Sequence, residues 1–451
     1  MGRYHFIAIG GIGMSGLAKY LLEEGHTVTG SDIQDSKYID ALRELGAGVS
    51  IGHYAKNVPE GAKVVVSTAI RENNPELIRA KELGLMIYHR SDLLREIAQS
   101  AQENGKCFIG FSGTHGKTTT SGLASYVLDK SGYEPAFVVG GILPDIHTNA
   151  QHKSGKYFTA ELDESDGTII KYSPDILVIN NIEPDHLDFY KNGLDDLIKT
   201  FSVAVSKAKK VVINKDNEGA SILKGDFVTF GLNNADYTAK NIEYSKEGTT
   251  FDIYFKDAFL IDIFTPLSGM HNVYNNLAVA AALNEAGVNI KSIKDSFGTF
   301  SGMGRRFQKV CDVNGAEIYD DYAHHPTEIR ATLDAASKKF GKEHIVAVFQ
   351  PHRYTRLKSL WNDFKGAFGN AGRVIVTDVY AASEDEIEGI SGENFAAELD
   401  GAEYISGSIE EVGAKLYKTL KQNDIVIGLG AGTITNLGRA IKKSSEEAFC
   451  K

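Results

Sequence analysis

An α/β fold in three domains is predicted by three features of this sequence. Short apolar runs of strand length alternate from end to end with stretches whose apolar residues recur at helical spacing. Two of the turns between such a strand and its helix, around residues 11 and 113, are rich in glycine. The chain has 451 residues, about three times the length of a common single domain. Domains are expected over 1–103, 104–310 and 311–451.

Hydrophobic residues make up 42% and charged ones 24%, enough apolar surface to fill conventional cores. Acids outnumber bases 59 to 48, and the net charge of −11 argues against nucleic acid or a membrane surface as partner. Cys107, Cys311 and Cys450 are far apart and show no C-x-x-C, so neither a zinc site nor a disulfide framework is indicated, and a reducing cytoplasm is the simplest home. No run approaches the roughly 20 apolar residues of a membrane span. The short apolar start is followed by glycines in place of a cleavage site. An unexported, cytoplasmic protein is expected.

The first block opens with the strand Phe6-Ile-Ala-Ile9, the turn Gly11-Ile12-Gly13-Met14-Ser-Gly16, helical spacing over Leu17–Leu22, and a second strand from Gly25 that ends in Ser31-Asp32. This is a dinucleotide-type βαβ fingerprint, in which glycines permit a tight turn and bring a diphosphate close to a helix N-terminus. A NAD site would set Asp32 on a ribose hydroxyl, but any nucleotide diphosphate suits the same helix end. Ala62–Ala69 reads as a strand stopping in small polar residues that include Ser67; a helix follows from Pro75 through Leu83, then a strand over Met86–His89. Polar Ser100–Gly105 is expected to be a linker. The block reads as a Rossmann-like domain.

In the second block the strand Lys106–Gly110 leads into Phe111-Ser-Gly113-Thr114-His115-Gly116-Lys117-Thr118-Thr119-Thr120, and Ser121–Leu128 has helical spacing. Strand, tight loop and helix are the context of a phosphate loop: backbone N–H groups turn toward phosphate oxygens, Lys117 reaches the β/γ phosphates and the Thr118 hydroxyl ligates Mg²⁺. The strict pattern has glycine at 111, where Phe111 stands, so this is a variant loop that predicts ATP use. Two further strands, Tyr157–Glu161 and Ile176–Asn181, run out into acid-rich ends carrying Glu161 and His186, where an open α/β sheet keeps its ligand groups. Glu161 is placed to hold a metal on the γ-phosphate. For His186, a structural role and a metal or phosphate role stand side by side. Phe227–Phe264 alternates and is expected to add antiparallel strands to a P-loop ATPase-type domain. An Ala-rich helix over His271–Leu283 carries Asn272 and Asn275 on one face of its first turn, and Gly302–Phe307, with Arg306, closes the block.

The third block alternates again, with buried strands at Ile345–Phe349, Val374–Asp378 and Asp424–Gly428 and helices expected over Leu357–Phe368 and Ile409–Leu420. It reads as a second Rossmann-like domain. Asp320-Asp321-Tyr-Ala-His324-His325-Pro326 and Gln350-Pro-His352-Arg353-Tyr-Thr-Arg356 sit at strand ends or loop starts. Arginine suits bidentate recognition of carboxylate and phosphate, so Arg306, Arg353 and Arg356 are candidates to gather an anionic substrate. For Gly428–Gly432 a packing role is as good a reading as ligand binding.

Taken together, the strings around Gly11–Gly16, Gly113–Thr119, Glu161–Asp166, Asn181–His186, His271-Asn272 with Asn275, Gly304–Phe307, Asp320–Glu328 and Gln350–Arg356 resemble the Mur ligase family over essentially the whole chain. The last two strings mark its alanine-adding branch. The resemblance implies three domains that bind, in order, a UDP-sugar, ATP and an amino acid. It implies that ATP phosphorylates the carboxylate of UDP-N-acetylmuramate and that L-alanine attacks the acyl phosphate to give an amide, ADP and phosphate. Carried over residue by residue, Lys117 stabilises the transferring phosphoryl group, Thr118 and Glu161 hold one Mg²⁺, and His186 helps hold a second. Gly113, Thr114, His115, Gly116 and Thr119 complete the ATP loop; Asn272 and Asn275 face the adenine, Arg306 the phosphates or ribose, and Asp321 the ribose. Gly11, Ile12, Gly13, Met14, Ser31, Asp32 and Ser67 belong to the UDP-sugar site, whose glycine turn the family uses for the UDP diphosphate and not for NAD. His324, Arg353 and Arg356 hold substrate carboxylates. Lys199 has the wrong offset for the carbamylated lysine of some relatives.

Two other enzymes and one other class compete with this reading. A sister ligase reattaches a recycled tripeptide to the same UDP-sugar. A NAD-dependent oxidoreductase would be built on the first glycine turn but leaves the phosphate loop unexplained. A non-catalytic, nucleotide-regulated binding protein is the third. Monomer and homodimer both remain open.

Overall fold

The computed structural model describes residues 1–185, 189–245, 247–382 and 384–449. Two compact units divide the chain: Met1–Ile242, Thr250–Thr265 and Val273–Ser301 form one, and Glu243–Thr249, Pro266–Asn272 and Gly302–Lys451 the other. Three sheets are built along it.

The first sheet alternates β1 (Arg3–Ile7), α1 (Ile12–Glu23), β2 (Thr27–Asp32), α2 (Lys37–Glu44), β3 (Gly48–Ile51), β4 (Lys63–Val66), α3 (Pro75–Glu82), β5 (Ile87–His89) and α4 (Arg90–Glu103). Its order is β3-β2-β1-β4-β5, all parallel. Strand order reverses between β1 and β4, which opens a crevice at their C-terminal ends where the Gly11–Gly13 turn and Ser67 emerge. The expected linker at 100–105 is corrected here: α4 runs through Glu103, because Ala101 continues the buried stripe of Leu93, Leu94, Ile97 and Ala98. Only Asn104 and Gly105 turn, the glycine at φ 79°.

The second sheet comprises β6 (Cys107–Ser112), β7 (Ala136–Leu143), β8 (Thr148–Gln151), β9 (Tyr157–Glu161), β10 (Ile176–Ile179), β11 (Lys210–Asn214), β12 (Val228–Gly231), β13 (Tyr237–Tyr244), β14 (Thr249–Phe255) and β15 (Ala258–Thr265). Helices α5 (Lys117–Lys130), α6 (Leu194–Lys207), α7 (Glu218–Ser221), α8 (Met270–Glu285) and α9 (Ile290–Phe297) accompany it. The order is β15-β14-β13-β12-β11-β10-β6-β9-β7-β8, with β6 in the interior. The segment from Phe227, expected antiparallel, begins otherwise: β12 pairs parallel with both β11 and β13, and β7 with β8 is an antiparallel pair that sequence did not suggest. Helix α1 packs on β7 and β8, so the first two sheets share one apolar core, in which the Tyr20 ring meets Phe158 at 6.0 Å. Lys19 Nζ donates to Thr148 Oγ1 at 2.6 Å across the same seam.

The third sheet has β16 (Gln308–Val313), β17 (Ala316–Asp321), β18 (Ile345–Phe349), β19 (Arg373–Thr377), β20 (Glu403–Ile405) and β21 (Ile425–Leu429), with α10 (Pro326–Phe340), α11 (Tyr354–Ser359), α12 (Trp361–Lys365), α13 (Gly392–Ala397), α14 (Ile409–Tyr417) and α15 (Leu437–Phe449). Its order is β16-β17-β21-β18-β19-β20, parallel except for β16 against β17. Successive residues of β18 alternate between two apolar clusters: Ile345, Ala347 and Phe349 join one, Val346 and Val348 the other, so both faces are covered. The single helix expected over 357–368 is two short ones, broken at Leu360 with φ −111° and ψ 20°.

Candidate active site

The phosphate loop follows from the position of β6. Flanked by β9 and β10 and buried, this strand delivers its C-terminal end to the interior of the sheet. Phe111 lies inside β6, fully buried and paired with Glu161 and Val178, so the loop proper starts two residues later than the strict pattern has it. Gly113 at φ 132° and Gly116 at φ 83° then turn the chain. A Cβ on Gly116 would stand 2.7 Å from Asn275 Oδ1, and one on Gly113 2.9 Å from the Asn181 carbonyl oxygen. The His115 N–H donates to Asn181 Oδ1 at 2.7 Å, and Thr114 Oγ1 accepts from the Glu183 N–H at 2.9 Å, tying the loop to the residues after β10. Helix α5 starts at Lys117 with Thr118 partly exposed in its first turn and Thr119 buried, so its first N–H groups and dipole face the loop.

Lys117 Nζ donates to Glu164 Oε1 at 2.8 Å and to the carbonyls of Gly113 and Thr114 at 2.7 and 3.2 Å. Burial works against its charge, but the carboxylates of Glu164, Asp163 and Glu161 more than offset this and hold its pKa above the ordinary range. Burial raises the Glu164 carboxyl against the pull of Lys117. Asp163 is also buried, yet Lys117, Arg90 and the Ser165 N–H keep it well below the usual carboxylate range. Glu161, at the end of β9, accepts from the Gly140 N–H at 3.0 Å. A cavity of about 60 Å³ is lined by Gly13, Arg90, Gly140, Glu161 and Asp163 among others, so the first sheet's glycine turn and the second sheet's acids border one space.

In the first sheet, Gly11 caps α1 and Ile12, Gly13 and Met14 form its first turn, with Met14 buried. Asn149 Nδ2 donates to the Ile12 carbonyl at 2.7 Å. Asp32 Oδ2 accepts from the Gly10 N–H at 2.8 Å, so the carboxylate braces the turn. The Ser31 hydroxyl is fully buried, donates to Glu76 Oε2 at 2.6 Å and lies 2.8 Å from His53 Nδ1. Ser67 follows β4 and is partly exposed.

The second unit brings another set together. Asp321 ends β17 and accepts from the N–H groups of Phe307 and Ala323, both at 2.7 Å. Burial pushes its carboxyl up to about 6 despite Arg306. Arg306 lies over the Tyr322 ring, 5.3 Å from its centre, and its Nη1 is 3.5 Å from Glu328 Oε1. His324 Nδ1 is 2.9 Å from the Tyr322 carbonyl, which only accepts, so this nitrogen carries the proton. Arg356 Nη1 donates to His352 Nδ1 at 3.2 Å, and the His352 ring stacks on Tyr380 and lies 5.9 Å from that of His324. Arg353 Nε donates instead to Glu384 Oε1 at 2.5 Å. Asn272 belongs to this unit and donates to the Ser268 carbonyl at 2.9 Å.

Of the sequence candidates, the structure gathers Gly113–Thr119 with Asn275 and sets Glu161 in one cavity with Gly13. It groups His324 with Arg356, while Arg353 is engaged by Glu384. His186 lies outside the described residues. Arg90, Asp163, Glu164 and His352 were not singled out, although Asp163, Glu164 and His352 stand within motifs already noted. Lys199 is exposed and pairs with Asp196 at 3.4 Å. Among the described residues no group of three His, Cys, Asp or Glu side chains is clustered as a metal site. Thr118 and Glu161 nonetheless offer the hard oxygen donors that suit Mg²⁺.

Comparison with known proteins adds the following. Residues 3–102 match the Mur ligase family, catalytic domain; 111–283 match the Mur ligase middle domain; 305–432 match the Mur ligase, glutamate ligase domain. The chain is 40% identical to the UDP-N-acetylmuramate–L-alanine ligase of Geotalea daltonii, over 99% of this chain and 98% of that one. Among solved structures it is similar to the UDP-N-acetylmuramate-alanine ligase of Thermotoga maritima, with a TM-score of 0.85 and 29% identity over 99% of this chain and 100% of that one. A murein peptide ligase of Psychrobacter arcticus shares the fold, with a TM-score of 0.74 at 23% identity over 98% of each chain.

Proposed function

The chain belongs to the Mur ligase family, and from that membership we propose that it is an ATP-dependent ligase joining L-alanine to the carboxylate of UDP-N-acetylmuramate, a step in peptidoglycan precursor synthesis. The observation that carries this reading is the shared cavity: Gly13 of the sugar-nucleotide turn and Glu161 beside the phosphate loop line one space. A sugar acid lying on that turn therefore brings its carboxylate toward the γ-phosphate of a nucleotide on the loop.

A carboxylate is a poor acylating agent. In the first step its oxygen attacks the γ-phosphorus, the bond to the β–γ bridging oxygen breaks, and ADP leaves. In the second the amino nitrogen of L-alanine attacks the acyl carbon and inorganic phosphate departs with the P–O bond intact, a proton leaving the nitrogen. Both steps need positioning and charge neutralisation more than covalent help from the protein. Lys117, kept charged by three carboxylates, meets the β/γ oxygens, and the first N–H groups of α5 meet the phosphates from below. Mg²⁺, when bound by Thr118 and Glu161, and by His186 on the family pattern, neutralises phosphate charge. Asn272, Asn275, Arg306 and Asp321 are proposed to contact the nucleotide, and Gly11, Ile12, Gly13, Met14 and Ser67 the UDP-sugar. Ser31 and Asp32 are proposed for the same UDP-sugar site, where Asp32 also braces the turn through the Gly10 N–H. His324 and Arg356, with Arg353, are proposed for the substrate carboxylates.

We place the UDP-sugar domain at 1–103, the ATP domain at 104–310 and the amino-acid domain at 311–451. A cytoplasmic setting, where ATP is available and cysteines stay reduced, fits this chemistry. No described helix is long and apolar enough to cross a membrane. ADP release measured with UDP-N-acetylmuramate and each amine tests the reading: turnover is expected with L-alanine. Turnover with the tripeptide and none with L-alanine would overturn it in favour of the recycling enzyme.

A further inference from the structure

Arg90 opens α4, yet its guanidinium reaches the second sheet: Nη2 donates to Asp163 Oδ2 at 2.7 Å. Its other terminal nitrogen, Nη1, lies 3.7 Å from where a Cβ on Gly13 would stand. Among the described residues Nη1 makes no hydrogen bond. Side-chain exposure of 32% leaves this end open to the cavity that Gly13, Glu161 and Asp163 also line.

A helix N-terminus supplies about half an elementary charge, which does not balance the charge of a diphosphate or of a sugar acid. Of the cations near the Gly11–Gly13 turn, Lys19 is taken by Thr148, the Ala150 carbonyl and Glu23. Arg90, by contrast, faces the turn with its Nη1. Asp163 is itself fixed by the Ser165 N–H at 3.0 Å, so the guanidinium plane is set before any ligand arrives. A planar fork anchored on one side and open on the other matches an oxyanion in a way a lysine does not.

We propose that Arg90 is a further substrate-binding residue, whose guanidinium takes an oxyanion of the sugar nucleotide beside the Gly11–Gly13 turn, and that Asp163 is the positioning residue that holds it there. This rests on the reading that a UDP-sugar occupies the turn. The oxyanion comes from one of two sources, the diphosphate or the sugar's carboxylate.

Calorimetric binding to the full chain tests this, with UDP, UDP-N-acetylmuramate and a non-hydrolysable ATP analogue as separate ligands. For Arg90→Ala a roughly ten- to hundredfold higher Kd for the sugar nucleotide is expected, with the Kd for the ATP analogue within about twofold of wild type. Arg90→Lys is expected to recover part of the loss, and Asp163→Asn to weaken sugar-nucleotide binding less than Arg90→Ala. Loss for both UDP and UDP-N-acetylmuramate assigns Arg90 to the diphosphate; loss for UDP-N-acetylmuramate alone assigns it to the carboxylate. Wild-type affinity in Arg90→Ala overturns the proposal. So does a parallel loss of ATP-analogue affinity, which marks a packing role. Failure of the wild-type protein itself to bind UDP-N-acetylmuramate would instead strike the functional reading.

Discussion

Lys117 donates to Glu164 at 2.8 Å, and the Glu164 side chain has no exposure to solvent. Removing one partner of a buried pair strands the other, at about 3–5 kcal/mol. Lys117→Ala is therefore expected to do two things at once: abolish ADP release and lower the unfolding free energy by an amount of that order. Adding Glu164→Gln is expected to restore most of the stability and none of the activity. Urea unfolding and an ADP-release assay on both variants separate the two effects, and retained turnover in Lys117→Ala refutes the role given to this lysine.

Gly116 and Gly132 bracket α5 with nearly the same backbone, φ 83° and φ 76°, but different surroundings. A Cβ on Gly116 meets Asn275 Oδ1 at 2.7 Å, whereas one on Gly132 meets nothing within 4 Å. Alanine at either site carries left-handed strain of about 1–2 kcal/mol. Only Gly116→Ala is expected to weaken ATP binding, by roughly tenfold or more, because it alone moves the loop. Equal ATP affinity in the two variants would show that the loop's shape is not what binds the nucleotide.

The strands that position these groups were legible because they are buried on both faces: β6, β10, β18 and β21 read as continuous apolar runs, and their ends mark where ligands go. Which side chain acts after a strand ends was not. Once the chain leaves β9 at Glu161 the period of two stops, so nothing in Glu161–Asp166 told that Asp163 turns to Arg90 and Glu164 to Lys117. Nor did anything in the second strand foretell that the Ser31 hydroxyl goes to Glu76, 45 residues away. Arg90 meets Asp163 across 73 residues, a pairing that the packing of the first sheet's helices on the second sheet creates. Parallel pairing of β12 and β13 was equally hidden, since alternation does not reveal direction.

Glu161 can be displaced without being altered. Its Oε2 accepts from the Gly140 N–H at 3.0 Å, and a Cβ on Gly140 would stand 2.2 Å from that oxygen. Outer partners of a metal ligand commonly change metal affinity by about 10–100-fold when lost. Gly140→Ala is expected to raise the Mg²⁺ concentration for half-maximal ADP release by at least about tenfold at saturating ATP, close to the effect of Glu161→Gln. An unchanged Mg²⁺ dependence in both variants would remove Glu161 from the metal.

His324 gives the second unit a pH dependence of known sign. Burial pushes its pKa down to about 4 from 6.5, with Glu328 pulling the other way. The unfolded chain therefore binds a proton between pH 6.5 and 4 that the folded chain does not. Stability is fully present above 6.5 and falls as the pH drops toward 4, by up to about 3 kcal/mol. His352, pushed down to about 3 by burial and by His324 and Arg356, acts in the same direction. Asp321, raised to about 6, acts in the opposite direction between 3.8 and 6, so the wild-type curve alone does not isolate the histidine. His324→Asn keeps a donor for the Tyr322 carbonyl and removes the titration. Trp361, the one tryptophan of the chain, lies on α12 and packs edge-on against Phe395 at 5.1 Å, so its fluorescence reports unfolding of this unit. In urea titrations from pH 7 to pH 4.5, the stability of the wild type relative to His324→Asn is expected to fall steadily as pH decreases. A difference that stays constant over that range would mean that His324 is not held neutral by its surroundings.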